Sequence, residues 1–295
     1  MGVLDILTYV GLSVSSFSFL LVLVTYSLFK QLRTLPGINL MNFSMAHLLA
    51  DLLFLLAGSA TKLTCTIIAI LMHYFFLASF TWMSFIAFET WRTFSTICIQ
   101  RRNLTRSEKC LSLMRRIAVG WLPAFAVVAV CVALHLFDAD TFLYGARATS
   151  SNFCWINNRT ARLFAFALPV FIAMLFNIVL FSLTVIAIRK TNRQLSEATY
   201  HAKNRITAAV FVKIFSLMGF TWIFGLLIPL HRSFVYPFVI FTTFMGLYVA
   251  LAFVFTPKIM SLYRAMLCAN KTEVVPIGAE VNNSAPKHER QKTHE

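Results

Sequence analysis

The 295 residues are 59% hydrophobic and 13% charged, with 30 Phe and a formal net charge of +15 at pH 7. Soluble domains carry about 25% charged residues, so this chain holds more apolar surface than one aqueous core can bury, and a bilayer must take the rest. The basic excess falls between long apolar runs rather than in a patch interleaved with aromatics, which reads as membrane-topology charge and argues against nucleic acid as a partner.

The six Cys form no C-x-x-C pair and no Cys/His set with zinc spacing, and the seven His include no H-E-x-x-H, so neither a metal nor a cofactor is expected. No nucleophile–base set is visible either, and an enzyme is not expected.

Met1–Asp5 has no basic residue, so no cleavable signal peptide is expected. Position 6 is Ile, which rules out the N-myristoylation pattern. Residues 1–5 form a short N-terminal stub, and the first apolar run acts as its own insertion signal. A helix needs roughly 20 apolar residues to cross the hydrocarbon core. Ile6–Phe29 is the first such run and carries no charge. Ile38–Ala60 follows, interrupted by His47 and Asp51, then Leu63–Phe88 and Ile117–Phe137. Leu163–Ile188 is again uncharged; Ile206–Leu230 carries Lys213 near one end, and Phe234–Thr256 closes the set. The fold class is thus an all-α membrane protein, a seven-transmembrane helix bundle over residues 6–256.

With the N-terminus outside, the inner loops hold fourteen Lys and Arg and the outer loops five. That asymmetry predicts N-outside and C-cytoplasmic topology. An odd span count without a half-to-half repeat argues against most secondary transporters. A channel would need a file of polar side chains, for which Asp51, Glu89 and Lys213 are too few and too far apart. After Pro257, residues Ile259, Leu262, Tyr263, Met266 and Leu267 share one face at helical spacing. Residues 257–268 are therefore predicted as an amphipathic eighth helix on the inner surface. Cys268 ends it and is a palmitoylation candidate or an idle surface thiol. The polar tail, residues 269–295, contains no aromatic and is expected to be disordered.

Cys65 at the outer end of the third span and Cys154 in the second outer loop both face an oxidising compartment, so a disulfide between them is expected. His47 and Asp51 lie four residues apart on one helical face. Ionisable groups at that depth should face the bundle interior and pair, as a polar switch or as a static interhelical bond. Glu89, near the inner end of the third span, is either a lock paired with Arg92 or a basic residue of the sixth span, or a solvated acid. The basic inner loops are expected to meet anionic membrane lipids. Asn158-Arg159-Thr160 is a glycosylation sequon close to the fifth span.

Several strings, each on its own span and in order, resemble the secretin/adhesion class (family 2) of G-protein-coupled receptors. The third span reads His73-Tyr74-Phe75-Phe76-Leu77-Ala78-Ser79-Phe80-Thr81-Trp82-Met83. The fourth has Gly120-Trp121-Leu122-Pro123, one glycine short of the family's GWGxP. The fifth has Pro169 and Asn177 eight apart, the sixth Gly219-Phe220-Thr221-Trp222-Ile223-Phe224-Gly225, and the seventh Gly246 opening an apolar stretch. The rhodopsin-like class lacks this support, because its E/DRY, CWxP and NPxxY strings are absent. The glutamate common in family 2 near the end of the third span falls on Ile86, and the acid at Glu89 is similar to the Methuselah-like invertebrate branch.

The resemblance implies a plasma-membrane receptor that passes an extracellular signal, such as a tethered peptide or an adhesion event, to a heterotrimeric G protein. It implies an agonist pocket with Trp222 as toggle. Phe220, Phe224, Phe80 and Trp82 are expected as its walls or as packing residues, with Gly246 on the seventh span, and Trp155 is expected as its roof or as an interfacial anchor. It also puts Arg92, Arg101, Arg102, Arg189, Lys190, Lys203 and Arg205 on the G-protein face. The alternative is a truncated, non-signalling chain that modulates full-length relatives.

Overall fold

The computed structural model describes residues 2–58, 62–95, 106–137, 144–147, 151–194, 221, 224, 225, 227, 228 and 230–272. The chain divides into two compact units, Met1–Thr256 and Pro257–Glu295.

In the first unit, α1 (Val3–Leu28) shows why the fold needs a bilayer. Its buried residues Leu12, Phe19, Val22, Leu23 and Tyr26 recur at three- and four-residue spacing, yet Val10, Phe17, Leu20 and Val24 on the other side are exposed and equally apolar. A helix apolar all round with half its surface uncovered belongs in hydrocarbon. Hydroxyls within it are satisfied locally: Ser18 and Thr25 donate to the carbonyls four residues back.

A short 3₁₀ turn, Lys30–Leu32, leads into α2 (Leu35–Leu56), which starts with Pro in its first turn. Next come α3 (Lys62–Ser95) and α4 (Arg106–Phe137). Beyond α4 the antiparallel strands β1 (Tyr144–Arg147) and β2 (Ser151–Ile156) form a hairpin that the hydropathy reading did not foresee.

The fifth span begins as α5 (Arg159–Arg162), passes through a π-helical stretch (Leu163–Ala167) and continues as α6 (Leu168–Gln194). Asn158 caps its start, Oδ1 accepting from the amides of Thr160 and Ala161 at 2.9 and 3.3 Å. The sequon asparagine therefore also initiates a helix.

The sixth expected span, Ile206–Leu230, lies mostly outside the described residues. The seventh is bent by 44° between Arg232–Thr243, which contains α7 (Val235–Thr243), and α8 (Met245–Phe253). The bend has an identifiable cause. The Gly246 amide donates to the Ser15 hydroxyl of α1 at 3.0 Å instead of closing the helical ladder, and a side chain inserted into the ladder kinks a helix.

Five helices are long and apolar enough to cross a membrane, and the bent pair makes six among the described residues. These helices, in a chain whose sequence carries seven apolar runs, make it a multi-pass helical membrane protein of the seven-transmembrane class. At the centre lies α3, packed against α2, α4, α6 and both strands. Its Met72, His73 and Trp82 are among the largest fully buried side chains. In the second unit α9 (Pro257–Thr272) is amphipathic, with Ile259 buried and Met266, Leu267 and Cys268 exposed.

Candidate functional site

The β-hairpin is fixed over one end of the bundle by three independent connections. Cys154 is disulfide-bonded to Cys65 near the start of α3. Its amide also donates to the Ala57 carbonyl at the end of α2, at 3.3 Å. Lastly, Tyr144 of β1 bonds His73 of α3 at 2.7 Å. His73 also reaches the Ala165 carbonyl at 3.1 Å through Nε2. A carbonyl only accepts, so Nε2 carries the hydrogen and Nδ1 accepts from the Tyr144 hydroxyl. Ala165 lies in the π-helical stretch, where the altered ladder turns its carbonyl to this imidazole. Burial pushes the Tyr144 phenol above its ordinary range, so it stays a neutral donor.

Beneath the hairpin is a cavity of about 360 Å³. Phe153 and Trp155 of β2 roof it together with Phe166. Phe76 and Phe80 of α3 form one wall, and Phe238 and Phe241 of α7 another. Trp155 meets Phe166 edge-to-face at 5.2 Å and Phe76 at 6.2 Å, so the roof and the α3 wall form one aromatic cluster. The floor is more polar, with His47, Asp51, Thr221 and Thr243 beside Met245.

At the floor, the 2% exposed Asp51 accepts from the Ser15 hydroxyl at 2.8 Å, and that hydroxyl accepts in turn from the Gly246 amide. One hydroxyl thereby ties together α1, α2 and the bend of the seventh span. His47 and Asp51 share the face and the cavity, and the interhelical bond belongs to Asp51, through Ser15 of α1. The His47 ring lies among Phe19, Phe43 and Phe76, and its Nδ1 has no partner among the described residues. Removing the acceptor leaves a buried hydroxyl without its bond. Asp51→Ala is expected to cost about 1–2 kcal/mol, and Asp51→Asn, which keeps an acceptor, clearly less; thermal unfolding in detergent measures both.

Of the expected pocket residues, Phe80 and Trp155 line the cavity. Phe224 stands one layer back, stacked on Phe241 with centroids 5.7 Å apart and planes 4° apart. Trp82 faces away from the cavity, toward α4. It is fully buried against Gly120 and Trp121 there, because the missing glycine side chain leaves room for the indole. Gly246 is likewise absent from the cavity lining, since a Cβ on it would collide with the Ser15 carbonyl of α1. Trp222 and Phe220 lie outside the described residues.

Glu89 accepts a hydrogen bond from Arg116 of α4 at 2.5 Å and forms a longer ion pair, at 3.8 Å, with Arg92 as expected. Its shortest ion pair therefore runs to the fourth span, where a partner was not foreseen. Arg189 and Lys190 fall near the end of α6, while Arg101, Arg102, Lys203 and Arg205 lie outside the described residues. Ser15, Tyr144, Phe153, Phe166 and Thr243 had no assigned role in the sequence reading. The sequence signal nearest to them is the hydroxyl cluster Ser13, Ser15, Ser16 and Ser18 in the uncharged first run.

Residues 1–249 match the family described as "7 transmembrane receptor (Secretin family)". Among curated proteins, the chain is 28% identical over 292 residues to Adhesion G-protein coupled receptor G6 of Danio rerio, covering 91% of this chain and 23% of that protein. It is 32% identical over 259 residues to Adhesion G protein-coupled receptor E3 of Homo sapiens, covering 85% and 37% respectively. Adhesion G-protein coupled receptor G2 of Mus musculus is 26% identical, covering 92% of this chain and 27% of that protein. The chain thus spans about a quarter to a third of the length of these relatives. The family match takes in every span from the first into the seventh, and this chain belongs to the secretin family of seven-transmembrane receptors.

Proposed function

We propose that the chain is the transmembrane part of an adhesion-type G-protein-coupled receptor, lying in the plasma membrane with its N-terminus outside and its C-terminus cytoplasmic. The cavity under the hairpin takes an apolar peptide segment, presented from outside or tethered in cis, and the inner face engages a heterotrimeric G protein. The observation that carries this reading is the cavity itself. It has aromatic walls with a few polar groups at the floor, and it lies at the disulfide-bearing end of the bundle. An occupant touching α3, the hairpin and α7 together would favour one of two helix packings, and so would shift a population rather than perform chemistry. Trp222 is the proposed toggle, with Phe80 and Trp155 as agonist contacts. Residues 1–5 are proposed as the outer stub, 6–256 as the transmembrane domain, 257–268 as an inner-surface helix with Cys268 open to acylation, and 269–295 as a cytoplasmic tail.

The test is nucleotide exchange on a co-reconstituted G protein, driven by an apolar peptide that activates the unaltered chain. Trp222→Ala is expected to abolish the stimulated exchange while surface expression persists. Unchanged exchange would remove Trp222 from the mechanism, and no stimulation by any apolar peptide would overturn the reading.

A further inference from the structure

The second large cavity, about 620 Å³, lies at the opposite end of α3 from the disulfide, between α3, α4 and α6. Its composition is graded along the helices. At the end bearing Glu89 it is lined by Arg92, Arg115, Arg116 and Ser112. Deeper along the bundle its walls are Phe85, Val119, Pro123 and Phe176. From Arg92 to Thr81 at its two ends on α3 is eleven residues, a helical rise of about 16 Å. Val119 and Phe176 are 48% and 46% exposed, so the cavity opens sideways onto the helix surface that faces acyl chains.

Three guanidinium groups face one carboxylate. Glu89 sits 2.5 Å from Arg116 and 3.8 Å from Arg92. Arg115 is exposed and has no ion-pair partner among the described residues. The lining thus holds three guanidinium groups and one carboxylate, so its own charge is positive. Guanidinium groups bind phosphate oxygens in a paired, directional fashion. A basic mouth, a greasy interior and an opening to the side together match a lipid more closely than any soluble anion. Basic pockets between transmembrane helices on the cytoplasmic side bind anionic headgroups.

We propose that this cavity holds one anionic phospholipid of the cytoplasmic leaflet. Its phosphate lies on Arg115 and Arg92, and an acyl chain runs along Phe85, Val119 and Phe176. The assignment to that leaflet rests on the topology proposed above. Because Glu89 pairs with Arg92 as well as with Arg116, a phosphate on Arg92 competes with the carboxylate that joins α3 to α4, and leaflet charge thereby adjusts the packing of the two helices. The competition predicts its own signature: Glu89→Gln, which releases Arg92, strengthens lipid retention.

The test is native mass spectrometry of the full chain, delipidated in detergent and titrated with phosphatidylglycerol, phosphatidylcholine or glycerol phosphate. This readout needs neither agonist nor G protein, so it fails or succeeds independently of the receptor reading. One phosphatidylglycerol is expected to be retained with about tenfold preference over phosphatidylcholine, a difference of about 1.4 kcal/mol. The double variant Arg92→Gln, Arg115→Gln is expected to erase the preference, whereas Lys30→Gln on the first inner loop leaves it intact. Melting temperatures close to the unaltered chain certify that the variants fold. A preference that survives the double variant overturns the proposal. So does displacement of the lipid by stoichiometric glycerol phosphate, which would show that the site reads free phosphate alone.

Discussion

Cys65→Ser is expected to lower stability by up to about 4 kcal/mol, and Cys154→Ser by the same amount. The two cysteines are 89 residues apart, so the bond closes a loop containing α3, α4 and the hairpin. The chain-entropy cost of closing such a loop is about 4.6 kcal/mol when the unfolded chain is free. In a membrane the helices persist on unfolding, which makes that figure an upper bound. The local surroundings add to the loss. Both cysteines are fully buried and pack with Ala57, Ile68, Tyr144 and Ile156. A serine hydroxyl there is buried among apolar neighbours, at a desolvation cost that the disulfide sulfur does not carry. Since each single variant already breaks the one bond, the double variant should cost little more than either alone. Thermal unfolding in detergent with and without reductant measures this: reductant lowers the midpoint of the unaltered chain and leaves all three variants unchanged. The cavity roof should loosen with it, because Trp155 and Phe153 flank Cys154 on the strand that the bond anchors.

The second large effect is expected at the crossing of α3 and α4. A side chain at Gly120 would fall within the indole of Trp82, whose side chain is completely buried. The backbone cannot retreat easily, because the Thr81 hydroxyl donates to the Gly120 carbonyl at 2.5 Å and holds the helices in register. Gly120→Val is therefore expected to cost about 3 kcal/mol or more by overpacking. Trp82→Ala alone costs a similar amount for the opposite reason, a cavity where the indole was. The two defects are complementary in volume. The double variant should recover at least about 1 kcal/mol relative to the sum of the single losses, a coupling that neighbouring but independent sites would not give. Melting temperatures of the four chains in one detergent supply the cycle.

These two sites mark how far the sequence could be read. The spans were legible because the physics is one-dimensional there. Twenty apolar residues must be helical in hydrocarbon, where every backbone amide needs an internal partner. Leu35–Leu56 and Arg106–Phe137 accordingly overlap the apolar runs expected from composition. The cysteine pair was legible because both residues fall on the same side of the membrane. Charge at the span ends was visible too, as was the Glu89–Arg92 pair, but the partner on α4 was not. Glu89 finds Arg116, which is 27 residues away and close only because α3 and α4 run antiparallel.

Composition and hydropathy were enough to make this chain a bundle of membrane helices and to place residues at membrane depth, and the family strings are carried in the order of the spans. Tertiary structure alone decided which aromatic residues face empty space. Phe80 and Trp82 are two residues apart on one helix and equally suited by composition to line a pocket, yet only Phe80 does so. A helix turns about 200° over two residues, so which side faces the cavity depends on its neighbours. Gly120 on α4 leaves space for an indole, and the anchored hairpin roofs the other side. The bend of the seventh span was settled in the same way. It needs the Ser15 hydroxyl of α1 beside the Gly246 amide, 231 positions later in the chain. No local pattern around Gly246 encodes that meeting, because it exists only once the two helices have packed.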